Sequence, residues 1–151
     1  VPDLRQAPFA AYSTRVLADW VDYNGHMNDA YYALVCGRAS EALLDALGLG
    51  AKYQESTGCT TYTVESHLRY LKEARAGETV RVLTLLVEAA PKRLRMRHSL
   101  RNGGDEEIAT GEFVYLHVNQ LSGRVEPMPP DRQELVTAVF ATHEPLSRRA
   151  V

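Results

Sequence analysis

Only two cysteines, Cys36 and Cys59, occur in the 151 residues. That is too few for a disulfide framework and fits a reducing cytoplasm, the compartment expected for this chain. No apolar run approaches the ~18 residues that span a bilayer, and no signal-peptide pattern opens the chain, so no membrane partner is expected. Charge of one sign is also missing. Seventeen basic against 19 acidic residues leave a formal charge of -2, which gives no general attraction for nucleic acid or anionic lipid. A Gly-rich phosphate loop, a dinucleotide-binding fingerprint and a Ser-centred nucleophile elbow are all absent, which removes the common nucleotide enzymes and serine hydrolases. Repeats, low-complexity tracts and linkers are lacking too, and the length suits one domain, 1–151. Val1 and Pro2 open the chain without a Met, as in a trimmed protein or a piece cut from a longer polypeptide.

What is there alternates. Residues 11–20 read as a first strand, followed by a polar turn at 22–28. From Asp29 to Leu47 the apolar residues Tyr31, Leu34, Val35, Ala42, Leu43 and Leu47 recur at helical spacing. Asn28 or Asp29 can cap that helix, and Gly48 and Gly50 stop it. A polar loop leads to a strand at 60–71, with Tyr62, Val64, Leu68 and Tyr70 on one face. Thr61, Thr63, Glu65, His67 and Arg69 take the other. Strands follow at 79–89, 93–101 and 107–118, the last with Ile108, Val114, Leu116 and Val118 on one face. The hairpin "RNGGDE" suits positive φ at its glycines, and a turn at "QLSGR" precedes a short helix, 131–141, with Asp131 and Glu134 as a capping box. The order predicts an α+β fold: an antiparallel sheet of about five strands curled around one long central helix.

The segment "ADWVDYNGHMNDAYY", 18–32, holds more polar side chains than a turn and a cap need. A helix N-terminus presents unpaired N–H groups and a positive dipole end, suited to a developing oxyanion. A carboxylate just before it can activate water or attack a carbonyl directly. Asp22 is that carboxylate, with Asn24 and His26 placed to orient it or the substrate. The plain alternative is that Asp22 and Asn24 form Asx-turns and Asn28 caps the helix.

The run W-x-D-x-N-G-H-M-N-x-x-x-Y, Trp20 to Tyr32, resembles the N-terminal motif of hotdog-fold acyl thioesterases, both the 4-hydroxybenzoyl-CoA thioesterase-like group and the acyl-ACP enzymes. "YTVESHLRYLKEARAGETVRV", Tyr62 to Val82, resembles the second hallmark of that family, and the likeness extends to "SGRVEPMP". The resemblance implies a hotdog fold and hydrolysis of an acyl-CoA thioester, with CoA as part of the substrate and no separate cofactor or metal. It implies a homodimer, with a tetramer as the larger assembly. Asp22 falls at the position of the catalytic carboxylate, although Tyr23 stands where a Pro commonly follows. Asn24 and His26 match the Asp-x-Asn-x-His pattern of the acyl-ACP enzymes. The stretch is also similar to small thioesterases of carnitine and betaine metabolism that act on betainyl-CoA. Hydratases of this fold carry Asp-x-Asn-Pro-x-His, one residue longer than here; a hydratase or a non-catalytic acyl-CoA-binding module are the competing functions.

Other candidates lie further along. Glu65, on the polar strand face, is a second catalytic candidate, since some thioesterases of this fold take a Glu from another element or subunit. Should the substrate carry a quaternary ammonium, Glu65 and the tyrosines can surround it. Gly25, Met27 and Asn28 in the turn are assigned to substrate binding, as are Arg93 and Arg95. Those two share a face with Arg97 and Arg101, where guanidinium forks suit the phosphates of CoA. A solvated strand face offset by Glu107 and Glu112 is the alternative. Cys36 reads as a buried structural thiol. His98 and His117 have no metal-ligand spacing.

Overall fold

A computed structural model describes residues 3–148. Strand β1 (Phe9–Arg15) leads through a 3₁₀ turn (Ala18–Trp20) to helix α1 (Asp29–Ala46) and the short helix α2 (Ala51–Thr57). Four long strands follow: β2 (Cys59–Tyr70), β3 (Thr79–Ala89), β4 (Arg93–Arg101) and β5 (Glu107–Asn119). The two-residue β6 (Arg124–Val125) and helix α3 (Pro130–Ser147) complete the described chain. The sheet is antiparallel, in the order β1-β3-β4-β5-β2, with β6 beside β5. Among the described residues no helix is long and apolar enough to cross a membrane.

Helix α1 lies across the sheet. Its buried residues are Tyr32, Val35, Cys36, Ala39, Ser40, Leu43 and Leu44, the three-to-four spacing of a single helix face. This stripe is rotated from the expected one: Leu34 is 37% exposed, while small Cys36, Ala39 and Ser40 point inward. The reason is close packing. A Cβ added at Gly111 in β5 would stand 2.7 Å from Cys36 Sγ, so larger side chains on either element would push the helix away. Burial raises the Cys36 thiol to about 12, which keeps it protonated and inert as the sequence suggested.

A buried polar link joins the helix to the sheet. His98 of β4 takes Ser40 of α1 at Nε2 and Thr84 of β3 at Nδ1, each at 2.8 Å. Both ring nitrogens are satisfied, so the imidazole fits the core as a neutral group. Helix α3 docks through a second histidine. His143 Nδ1 accepts the Leu86 N–H at 2.9 Å, where β3 bulges between Leu86 and Glu88; its neutral ring therefore carries the proton on Nε2.

Several expected boundaries shift. The first strand ends at Arg15, and residues 18–20 turn instead of extending. The loop before β2 contains α2, which shows little periodicity because Tyr53 is its one buried residue; the Tyr53 hydroxyl meets His117 Nε2 at 2.8 Å. Helix α3 runs six residues beyond the expected 141, carried by the docking of His143 on β3, and no side chain caps its start. Asp131 pairs with Arg132, so the expected capping box does not form. In the "RNGGDE" hairpin it is Asp105 that takes positive φ, 60°, not either glycine. A bulge between Thr63 and Glu65 breaks the simple alternation of β2. Thr61 and Thr63 pair with His117 and Tyr115 on the helix side, whereas Glu65, His67 and Arg69 fall with Val114, Glu112 and Thr110 on the other. A further shift where Leu100 pairs with Ala109 and Arg101 with Glu107 separates Ile108 from the face of Val114, Leu116 and Val118.

Burial lowers the pKa of His98 from 6.5 to about 3 and also lowers that of His143. The unfolded chain binds these protons more readily, so the stability from the neutral rings is full above pH 6.5 and is lost as pH falls toward 3. From pH 7 to pH 5, His98 alone should remove about 2 kcal/mol. Urea unfolding followed by circular dichroism at the two values checks this, and His98→Gln should flatten the dependence.

Candidate active site

The turn before α1 is a small hairpin closed by a Val21–Met27 bridge. Asp22 N–H donates to His26 O at 3.0 Å, and Gly25 N–H donates to Asp22 O at 2.9 Å. Gly25 sits at φ +79°, where a Cβ would be strained. Asp22 Oδ1 accepts the Asn24 N–H at 2.8 Å, so the Asx-turn considered from sequence does form. Asn28 Oδ1 accepts the Ala30 N–H at 3.0 Å and caps α1.

Two further bonds fix where this hairpin points. Asn28 N–H donates to Trp20 O at 2.8 Å, and Met27 N–H donates to Ala74 O at 2.7 Å. The second one ties the helix start to the segment after β2. Between them lies a cleft of about 410 Å³. The turn contributes Asp22, His26 and Met27 to its lining, and the first turn of α1 contributes Asp29 and Tyr32. Tyr70, Leu71, Lys72 and Glu73 close the other side. Tyr32 and Tyr70 meet edge to face with ring centroids 5.2 Å apart, and the Tyr32 hydroxyl donates to Lys72 O at 3.2 Å.

Asp22 is half-buried at the rim, and its Oδ2 has no hydrogen-bond partner among the described residues. At the helix start, Ala30 and Tyr31 N–H groups are taken by the Asn28 side chain and carbonyl. The Asp29 N–H has no partner among the described residues and is an available donor at the positive end of α1. Lys72 is turned toward Glu106, with which it pairs, and that hydrogen bond raises its pKa. Asp22, Asp29 and Glu73 therefore give the cleft an acidic lining. Burial raises the phenol pKa of both Tyr32 and Tyr70; Glu73 adds to the first and Asp29 to the second.

The remaining sequence candidates lie elsewhere. Asn24 is exposed and, with Gly25 and Asn28, lies outside the lining; within this turn they shape the chain. Glu65 occupies the far face of the sheet, in a shallow depression with Arg95 and Glu112, so one chain does not bring it to Asp22. Arg93 and Arg95 are also on that face, and both pair with Glu88, at 2.9 and 3.2 Å. Arg95 reaches Glu112 as well, at 3.1 Å. Arg95 thus donates to carboxylates on both neighbouring strands, whereas Arg93 faces Glu88 through Nε alone. A larger groove of about 600 Å³ on the same side is lined by Leu83, Leu85, Arg97, Arg101, Glu107 and Glu112 among others, and these charges likewise pair with one another. Asp29, Tyr70 and Glu73 were missed by sequence reasoning. Their signal was the pair of motifs around Trp20–Tyr32 and Tyr62–Val82, which fold onto each other.

The sheet wrapped on α1, with a carboxylate beside the helix start, defines a thioesterase-type hotdog domain. The Thioesterase-like superfamily model matches residues 16–136, and the chain belongs to that family. A Pseudomonas aeruginosa protein named betainyl-CoA thioesterase is 37% identical over 136 residues, which cover 89% of this chain and 86% of that one. An Agrobacterium fabrum protein named L-carnitine dehydrogenase/betainyl-CoA thioesterase is 43% identical over 123 residues. Those residues cover 82% of this chain but 25% of the relative, so the chain spans about a quarter of that longer protein. A Staphylococcus aureus protein solved in complex with CoA superposes with a TM-score of 0.83 at 23% identity, covering 87% of this chain and 84% of that one; this likeness shows the fold.

Because Arg93 and Arg95 both lie against Glu88, Arg93→Gln and Arg95→Gln should each leave the KM for an acyl-CoA within about threefold of wild type, the scale of an exposed ion pair. Steady-state kinetics of the two variants checks this.

Proposed function

We propose that the chain hydrolyses an acyl-CoA thioester in the Asp22 cleft, and that betainyl-CoA is its substrate. The observation that carries this reading is the meeting of Asp22, with one free carboxylate oxygen, and the start of α1 in one cleft. Family membership and the names of the two sequence relatives support it. Water or the carboxylate itself attacks the thioester carbon, and a water nucleophile gives its proton to Asp22. The carbonyl oxygen gains charge beside the Asp29 N–H and the helix dipole. Collapse of the tetrahedral intermediate breaks the C–S bond and releases CoA, whose sulfur takes a proton. The water route gives the free acid directly, whereas attack by Asp22 leaves a mixed anhydride that a water then hydrolyses to the free acid and the Asp22 carboxylate. His26, on the same rim, orients the reacting groups.

The betainyl group also argues against a hydratase. Nitrogen stands where an acyl chain has its β-carbon, so no α,β double bond exists to hydrate. The active species proposed is a cytoplasmic homodimer formed along β2. That strand is one of the two edges of the sheet, with Tyr62 and Val64 each 47% exposed, and an uncovered apolar edge favours pairing. The cleft borders the far end of β2, so a partner there would complete its wall.

Asp22→Asn keeps an oxygen for the Asn24 N–H and so preserves the turn, while removing the base. It should lower kcat at least ~100-fold with an unchanged circular dichroism spectrum. Thiol release from betainyl-CoA and a panel of short and medium acyl-CoAs provides the measurement. Near-normal turnover by the variant would overturn the mechanism, and absence of thiol release across the panel would favour a binding module.

A further inference from the structure

We infer that Tyr70 is the specificity-determining residue for the acyl group, its ring receiving the quaternary ammonium while Tyr32 holds it in place. The inference rests on the hydrolytic reading above and adds to it the part of the cleft that reads the acyl charge. Tyr32 is 3% exposed and Tyr70 50%. Tyr32 is anchored by its bond to Lys72 O and packs edge to face against Tyr70. Tyr70 therefore offers the accessible aromatic surface in the cleft, on a rigid support. An ammonium within about 6 Å of a ring centroid is attracted by the ring quadrupole, and a quaternary one has no N–H for hydrogen bonds, so aromatic faces and diffuse negative charge are what can recognise it.

Geometry limits where that charge can lie. In a betainyl thioester one methylene separates nitrogen from the carbonyl carbon, a distance of ~2.5 Å from ordinary bond lengths and angles. With the carbonyl at Asp22, the trimethylammonium must contact the immediate lining of the same cleft. Apart from Asp22 and His26, that lining is Met27, the two tyrosines, Asp29, Leu71 and the 72–73 segment. Lys72, the cation in the lining, is paired with Glu106, so it does not oppose a cationic ligand. Asp29 and Glu73 are both exposed and add attraction without being neutralised by a partner among the described residues.

The test compares betainyl-CoA with 3,3-dimethylbutanoyl-CoA, which has the same shape with carbon in place of the charged nitrogen. Wild type should favour the cation by about tenfold in kcat/KM, within the range of a desolvated cation–π contact. Tyr70→Leu should reduce that ratio to within about threefold of unity, Tyr70→Phe should retain it, and Glu73→Gln, an exposed change that spares folding, should lower it. Equal turnover of both thioesters by wild type overturns the inference and leaves thioester hydrolysis standing. So does a ratio unchanged in Tyr70→Leu or lost in Tyr70→Phe. Release of thiol from neither thioester removes the hydrolytic reading itself, and the inference with it.

Discussion

The rest of the structure depends on how closely α1 approaches β5. Gly111 lacks the Cβ that would stand 2.7 Å from Cys36 Sγ, and the helix face answers with Cys36, Ala39 and Ser40 where larger residues would be expected. Interiors are packed densely enough that one added methyl forces a shift. The position of the helix is therefore set near its middle. That depth also places Ser40 at 2.8 Å from His98, converting what would be a buried unsatisfied imidazole into a satisfied link between layers. A helix fixed along its length has a fixed beginning, and the beginning is where the Asp22 cleft lies.

At that beginning one turn serves two purposes. Asp22 Oδ1 holds the Asn24 N–H and shapes the hairpin; Oδ2 remains available at the cleft. The structural and catalytic readings of Asp22 are thus compatible, because a carboxylate has two oxygens and the turn occupies one. Holding one oxygen also restrains the rotation of the other, the kind of preorganisation that lowers the cost of reaching a reactive geometry. The Met27–Ala74 hydrogen bond extends the same logic across the cleft: it fixes the 71–74 segment, and with it the backbone oxygen that anchors Tyr32.

The strands at 79–89 and 93–101, the cap at Asn28 and the α+β order were legible because alternation and turn chemistry are local. Bulges were not. One extra residue at Val64 leaves the composition of β2 unchanged yet moves Thr61 and Thr63 to the helix side and Glu65 away from it. Helix α3 was underestimated because its length depends on His143 meeting a backbone N–H in β3, a contact between residues far apart in sequence. The arginine ladder was ambiguous for a related reason. Its residue types suit phosphates and carboxylates equally, and only the register that sets Arg97 opposite Glu112 and Arg95 beside Glu88 and Glu112 shows which carboxylates they meet.

That register also bears on how the two sheet faces differ in charge. On the outer face Glu88, Glu107 and Glu112 are paired with Arg93, Arg95, Arg97 and Arg101, exposed or half-exposed contacts of modest strength. In the cleft the single lysine is drawn to Glu106, and Asp22, Asp29 and Glu73 are left without a cationic partner among the described residues. An acidic cleft would repel an anionic acyl group and offers no charge attraction to a neutral one. A cationic acyl group gains from the same carboxylates. The acidic, aromatic lining of the cleft therefore supports the proposed positively charged acyl group on physical grounds, independent of what any relative is named.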